Sequence, residues 1–281
     1  MLNDRAEVQS AVIEDTLSER QRRELEYHRG YAETVVREGA SVKYDVITNP
    51  NRKWWNAYWD VWTALMALSV KDKRVLVVGC GAGEDALLLA RLGAKVSAFD
   101  LSPDMLKLGA SWAEKDGLTV DFRQMPAEKM TYADNTFDMV FVRDILHHVD
   151  IPETMKEIVR VSKPGAVLAV NEIYSHSVTD LIRHSWPVRR VLYPLLRNFV
   201  YKHKFVYITE DERKMNQRDI AEVMRHMSNV RYHKYFNFLV TRLIPDKYKT
   251  LNKADRLLLK ALGPVGYFCA GRNAFIGSLK S

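Results

Sequence analysis

The sequence predicts an α/β fold built on a doubly wound parallel sheet, and three observations predict it. From Lys71 onward, short strand-like runs alternate with amphipathic stretches of helical length. RVLVVG, FDMVFVRD and AVLAVNE are apolar almost throughout, as strands covered by helices on both faces should be. The composition, 47% hydrophobic and 27% charged with 6 Trp, 13 Tyr and 10 Phe in 281 residues, supplies a large core and excludes disorder as the main state.

The elements follow in order. Residues 3–40 are charged with spaced apolar positions and read as a helical extension interrupted at Gly30 and Gly39. The turn signal Asn49-Pro50-Asn51 starts a second helix over residues 52–68, whose Trp54, Trp55, Trp59 and Trp62 form a broad apolar face suited to the core. RVLVVG is the first strand, EDALLLARLG a helix stopping at Gly93, and KVSAFD the second strand. SPDMLKLGASWAEKDG, LTVDFRQM, FDMVFVRD, PETMKEIVRVSKPG and AVLAVNE continue as helix, strand, strand, helix and strand. After Glu172 the alternation breaks. Residues 177–207 mix aliphatics, aromatics and bases around Pro187 and Pro194, the texture of a lid, and a capped helix follows. VRYHKYFNFLV and GYFCAGRNAFIGSL are strand-like and flank the helical NKADRLLLKAL. The expected organisation is a helical cap (1–70), a ligand-binding core (71–176), a lid and acceptor-binding insertion (177–230) and C-terminal strands completing the sheet (231–281).

Charge is unevenly spread. Lys and Arg outnumber Asp and Glu by 20 to 7 over residues 181–281, whereas acids lead by 28 to 22 over residues 1–180. The basic third is a contact surface for an anionic partner or a solvated face. With only Cys80 and Cys269, neither a disulfide framework nor a cysteine-rich metal site is expected, and no metal is assigned. A polar N-terminus and the lack of an 18-residue apolar run predict a cytoplasmic protein without a membrane-spanning helix.

The chemistry concentrates in VLVVGCGAGED, a strand entering a glycine-rich turn that opens a helix. A dinucleotide fingerprint needs a third glycine where this chain has Glu84, followed by Asp85. Two acids at a helix N-terminus oppose a pyrophosphate, so the ligand should lack phosphate. Asp100, at the end of the next strand, is placed to accept hydrogen bonds from both hydroxyls of a ribose. An adenosine carrying an amino acid on a sulfonium satisfies both conditions.

GCGAG, Asp100 in AFDLSPDML, FDMVFVRDILHHV and RVSKPGAVLAV together resemble the class I S-adenosylmethionine-dependent methyltransferases, in particular the ubiquinone/menaquinone-biosynthesis group. The resemblance implies a Rossmann-like, seven-stranded sheet with a helical N-terminal extension and a helical lid, and S-adenosylmethionine as cofactor. It puts Gly79, Gly81 and Gly83 around the methionine and ribose, Asp100 on the ribose and Leu101 on the adenine. Where the family commonly has Asp-Ala-Glu, this chain has Pro126, Ala127 and Glu128, so the adenine edge falls to the Ala127 backbone and to Glu128. Arg143 is expected on the methionine carboxylate or at the surface. Tyr27 and Tyr31 are expected to cap the sulfonium through their ring faces.

Methyl transfer from a sulfonium is a direct displacement that needs positioning and, for an acidic acceptor, a general base. Glu172, His147 and His184 are the leading candidates, with His148, Tyr174 and His176 nearby in the sequence. Glu172 leads because a carboxylate at the end of a buried strand is expensive unless it faces the cleft. Aromatics and bases interleaved between residues 174 and 235 suit a small hydrophobic, amphiphilic or anionic acceptor of isoprenoid, lipid or natural-product type, and equally suit peripheral membrane contact. A nucleic-acid methyltransferase ranks below this. The Asn/Asp-Pro-Pro-aromatic tetrapeptide of amino-methylating enzymes is absent where Arg143-Asp144-Ile145-Leu146 stands. The intact glycines and Asp100 weigh against a non-catalytic cofactor-binding scaffold.

Overall fold

A computed structural model describes residues 19–192, 194, 195, 213–240, 244, 245 and 247–280. The five runs of the α/β region form β1 (Arg74–Val78), β2 (Lys95–Asp100), β3 (Val120–Gln124), β4 (Phe137–Arg143) and β5 (Ser162–Ile173), joined by β6 (Met227–Phe236) and β7 (Arg272–Leu279). They make one seven-stranded sheet in the order β3-β2-β1-β4-β5-β7-β6. The first five strands are mutually parallel, while β7 runs antiparallel to both β5 and β6. The parallel sheet expected from the alternating strands and helices is present in β1–β5, and the C-terminal strands complete it with β7 reversed. β6 ends at Phe236, level with Arg272 at the start of β7, so the connection stays at one end of the sheet and β7 must run back.

Alternation along the strands sorts side chains to two faces. Leu76, Val78, Val140 and Val142 join one buried cluster, and Val75, Val77, Met139 and Phe141 join the other. The helices are α1 (Glu19–Arg37), α2 (Asp45–Thr48), α3 (Ala57–Met66), α4 (Glu84–Arg91), α5 (Pro103–Lys115), α6 (Ile151–Val161), α7 (Ser177–His184), α8 (Gln217–Met224), α9 (Lys249–Ala261) and α10 (Gly266–Cys269). Side-chain caps fix several starts: Asn56 accepts from the Trp59 amide, Ser102 from Met105, and Asp150 from Glu153. The tryptophan-rich segment divides. Trp62 is fully buried against Phe141 and Trp59 nearly so, whereas Trp54 is 41% exposed, because it precedes the helix that seats the other two. Asp60 of α3 accepts from Tyr232 (2.6 Å) and Lys234 (2.7 Å), tying this helix to β6.

Two expected features differ. Gly30 lies inside α1 without interrupting it, and only Gly39, at φ +62°, follows the helix end. The expected lid gives way to framework after residue 213: Ile220 and Val223 of α8 join the cluster that holds Met155 and Ile158 of α6, and β6 begins at Met227. Residues 193 and 196–212 of that insertion lie outside the described residues. Among the described residues no helix is long and apolar enough to cross a membrane.

Candidate functional site

At the ends of β1, β2 and β4 the chain leaves a cavity of about 590 Å³. Its floor is the turn after β1. Gly81 adopts φ +51°, and a Cβ there would meet only the Met105 methyl at 3.6 Å, so bare backbone faces the space. The Gly81 N–H donates to Asp100 Oδ2 (2.8 Å) and the Ser102 N–H to Oδ1 (2.9 Å). A carboxylate offers about four lone-pair directions, so about two remain for a ligand once the backbone has fixed the group. Gly79, Leu101, Ala127 and Glu128 complete much of the wall. Leu25 and His28 of α1 line it too, so the N-terminal helix lies at the cavity. The side chains of Tyr27 and Tyr31 lie outside the described ones.

The remaining rim is charged. Arg143 donates from Nε to Asp85 Oδ2 (2.5 Å), lies 3.8 Å from Glu84 and 3.9 Å from Asp144, and stacks over the Tyr58 ring. Burial on its own would lower the Arg143 pKa, and Asp85, Tyr58 and Asp144 together more than offset this, so the guanidinium keeps its charge. Burial pushes the Glu84 carboxyl above its ordinary range against the opposing pull of Arg143. Burial would likewise raise Asp144, but Arg272 and Arg143 hold it below the usual carboxylate range. Glu84, Arg143 and Asp144 all line the cavity.

Several expected site residues stand elsewhere. Gly83 does not line the cavity. It caps α4 at φ +77°, and a Cβ there would sit 2.7 Å from the Phe122 ring, so packing is what requires glycine. Glu172 is 0% exposed, and its carboxylate turns beneath the loop after β4. Oε1 accepts from the amides of Ile145 (2.7 Å) and Leu146 (2.8 Å), and Oε2 from His147 Nδ1 (2.8 Å). Backbone donors thus satisfy the buried charge that was expected to need a cleft. His147 is buried in that contact and lines no part of the cavity, whereas its neighbour His148 does. His184 is exposed on α7 and bonds to the Asp180 carbonyl (2.8 Å). His176 caps α7 and pairs with the Tyr267 hydroxyl (2.9 Å), while Tyr174 is fully buried beside Tyr235. Trp112 and Val149, which line the cavity, were not singled out from the sequence; nothing in their spacing separates them from ordinary core positions. Among the described residues no group of His, Cys, Asp and Glu is arranged to hold a metal ion.

Comparison with known proteins agrees with this architecture. Residues 76–170 match the family described as a methyltransferase domain. A ubiquinone biosynthesis O-methyltransferase of Methylocella silvestris is 38% identical over 96 residues, 34% of this chain and 38% of that protein. Methyltransferase GfsG of Streptomyces halstedii is 34% identical over 111 residues, 38% of this chain and 40% of its own length. The chain thus spans about two-fifths of the length of the curated relatives it matches. Among solved structures, the [4+2]-cyclase SpnF superposes with a TM-score of 0.53 at 21% identity, covering 79% of this chain and 81% of that one. The YcgJ protein of Bacillus subtilis gives 0.52 at 18% identity, covering 80% and 99%. These likenesses show the seven-stranded fold.

The Glu172 contacts predict a stability phenotype. Glu172→Gln retains one carbonyl acceptor but presents an amide to His147, so unfolding free energy in urea should fall by about 1–3 kcal/mol. A variant with native stability and impaired turnover would instead put the carboxylate in the chemistry.

Proposed function

We propose that this chain, whose residues 76–170 match a methyltransferase domain, transfers the methyl group of S-adenosylmethionine to a small apolar or amphiphilic acceptor. The observation that carries this reading is the Asp100 carboxylate, held by two backbone amides at the edge of a cavity whose helix N-terminus is acidic. The residues present fit the cofactor. Asp100 would hold the ribose diol. Glu128 Oε2 is buried without a hydrogen-bond partner among the described residues, and would accept from the adenine amino group. Glu84 and Arg143 offer opposite charges to the ammonium and carboxylate of the methionine end. The bound sulfonium supplies an electrophilic methyl group. The chain's own residues then orient it, exclude water and, where the acceptor must lose a proton, take that proton. We assign this last task to His148, the histidine of the loop after β4 that lines the cavity.

An apolar acceptor and a peripheral membrane contact find support in the segment that follows β5. Leu181 (75%), Trp186 (71%) and Leu195 (72%) are exposed there beside exposed Arg189 and Arg190. Apolar side chains with flanking bases suit the interface of an anionic lipid surface. Arg197, the third base singled out in this stretch, lies outside the described residues.

Calorimetric titration should give one S-adenosylmethionine or demethylated product per chain and no comparable NAD binding. Asp100→Ala should weaken the cofactor by about 1–3 kcal/mol, and an unchanged dissociation constant in a folded variant would move the ribose elsewhere. His148→Asn should lower methyl transfer from labelled cofactor into a metabolite extract by about two to four orders of magnitude at unchanged cofactor affinity. Wild-type turnover would remove His148 from proton transfer. Co-sedimentation with phosphatidylglycerol vesicles should fall by about 1 kcal/mol for each of Arg189→Gln and Arg190→Gln, with the difference shrinking as salt rises. Equal sedimentation of wild type and double variant at low salt would leave the exposed segment without a membrane role.

A further inference from the structure

A second concavity, of about 590 Å³, opens at the β6 edge of the sheet beneath α9. It is lined by Trp54, Tyr235 and Leu257 and by the cations Lys234, Arg256 and Lys260, with Asp60 the one acid among its lining residues. The charges do not balance locally. Asp60 is engaged by Lys234 (2.7 Å) and the Tyr232 hydroxyl (2.6 Å). Among the described residues Arg256 makes no ion pair and no hydrogen bond, although it is half-buried; its guanidinium lies 4.4 Å over the Phe236 ring. Burial pushes its pKa down, with Asp60, Tyr232 and Asp255 opposing. A half-buried planar guanidinium, with its donors unmatched and one face covered by a ring, is matched by a carboxylate or phosphate accepting in its plane. Lys260, exposed on the same helix and likewise without an ion pair among the described residues, adds a second positive charge at the rim. Trp54 and Tyr235 provide flat apolar walls.

We infer that this groove binds a small anion attached to an aromatic or apolar body, with Arg256 and Lys260 on the anionic group and the rings on the body. The site is separate from the cofactor cavity. β6 stands three strands from β4, roughly 14 Å at about 4.8 Å per strand. The anion belongs either to the distal end of an extended acceptor or to an independent effector, and both present the same chemistry.

Phenyl phosphate titrated into the full chain, followed by calorimetry with and without saturating S-adenosylhomocysteine, tests the inference. Binding is expected in both conditions, to be weaker for inorganic phosphate, and to drop about ten- to a hundredfold in Arg256→Gln. Arg256→Lys, which keeps charge but loses the planar fork, should fall between, and thermal melting checks that each variant folds. No phenyl phosphate binding at millimolar concentration, equal binding in Arg256→Gln, or displacement by S-adenosylhomocysteine would overturn it. Methyl transfer into a lipid extract separates the two sources: phenyl phosphate raises the apparent KM for the extract if the groove holds the acceptor, and alters kcat at constant KM if it holds an effector. A chain that binds phenyl phosphate but not S-adenosylmethionine would refute the methyltransferase reading and leave the groove standing.

Discussion

The loop that closes the candidate site depends on one buried carboxylate. Glu172 reaches from the end of β5 under the neighbouring loop and gathers two consecutive amides and a histidine. Those amides belong to a segment leaving β4 through Asp144 at φ +55°. With the carboxylate in place, Ile145 sits against Gly79 and His148 turns to the cavity. Each of the two strands that flank the pairing contributes what the other lacks: β5 a charge, β4 a row of donors. The same contact explains why position 79 tolerates no side chain, since a Cβ there would lie 2.4 Å from Ile145 Cγ1.

A second constraint acts at the start of α4. The helix dipole favours negative charge at that end, and Glu84 and Asp85 supply it, but Asp85 is buried, which makes its charge costly unless paired. Arg143, from the end of β4, and the Tyr58 hydroxyl, from α3, share Asp85 between them. One guanidinium therefore joins α3, the start of α4 and the β4 loop, and leaves the rim with alternating rather than uniform charge.

Much of this was legible in the sequence, and where it was not the reason is physical. Strands buried on both faces write themselves as apolar runs, and a ligand approaching bare backbone writes itself as glycine, so β1, β2, β4, β5, Gly81 and Asp100 could be read directly. Glu172 was legible as unusual but not as to its use. Its partners lie 25 to 27 residues upstream, and backbone amides carry no residue-type signature. Gly83 looked like part of a ligand turn because spacing cannot distinguish a glycine facing a ligand from one facing Phe122. The direction of β7 was invisible for a related cause: apolar alternation states that a strand exists, whereas its polarity follows from the end of the sheet at which the preceding connection lies.

That polarity bears on how the chain is assembled. The last strand in the sequence is not at the margin of the sheet but between β5 and β6, bonded to both. During synthesis β1 to β5 can associate as soon as they emerge, yet β6 has no neighbour to join, and β5 keeps an open edge of unpaired amides and carbonyls while more than a hundred further residues are made. Closure waits for residues 272–279. Until then the nascent chain presents a strand edge that invites pairing with another molecule, so the interval before β7 arrives is when this protein is most exposed to misassociation.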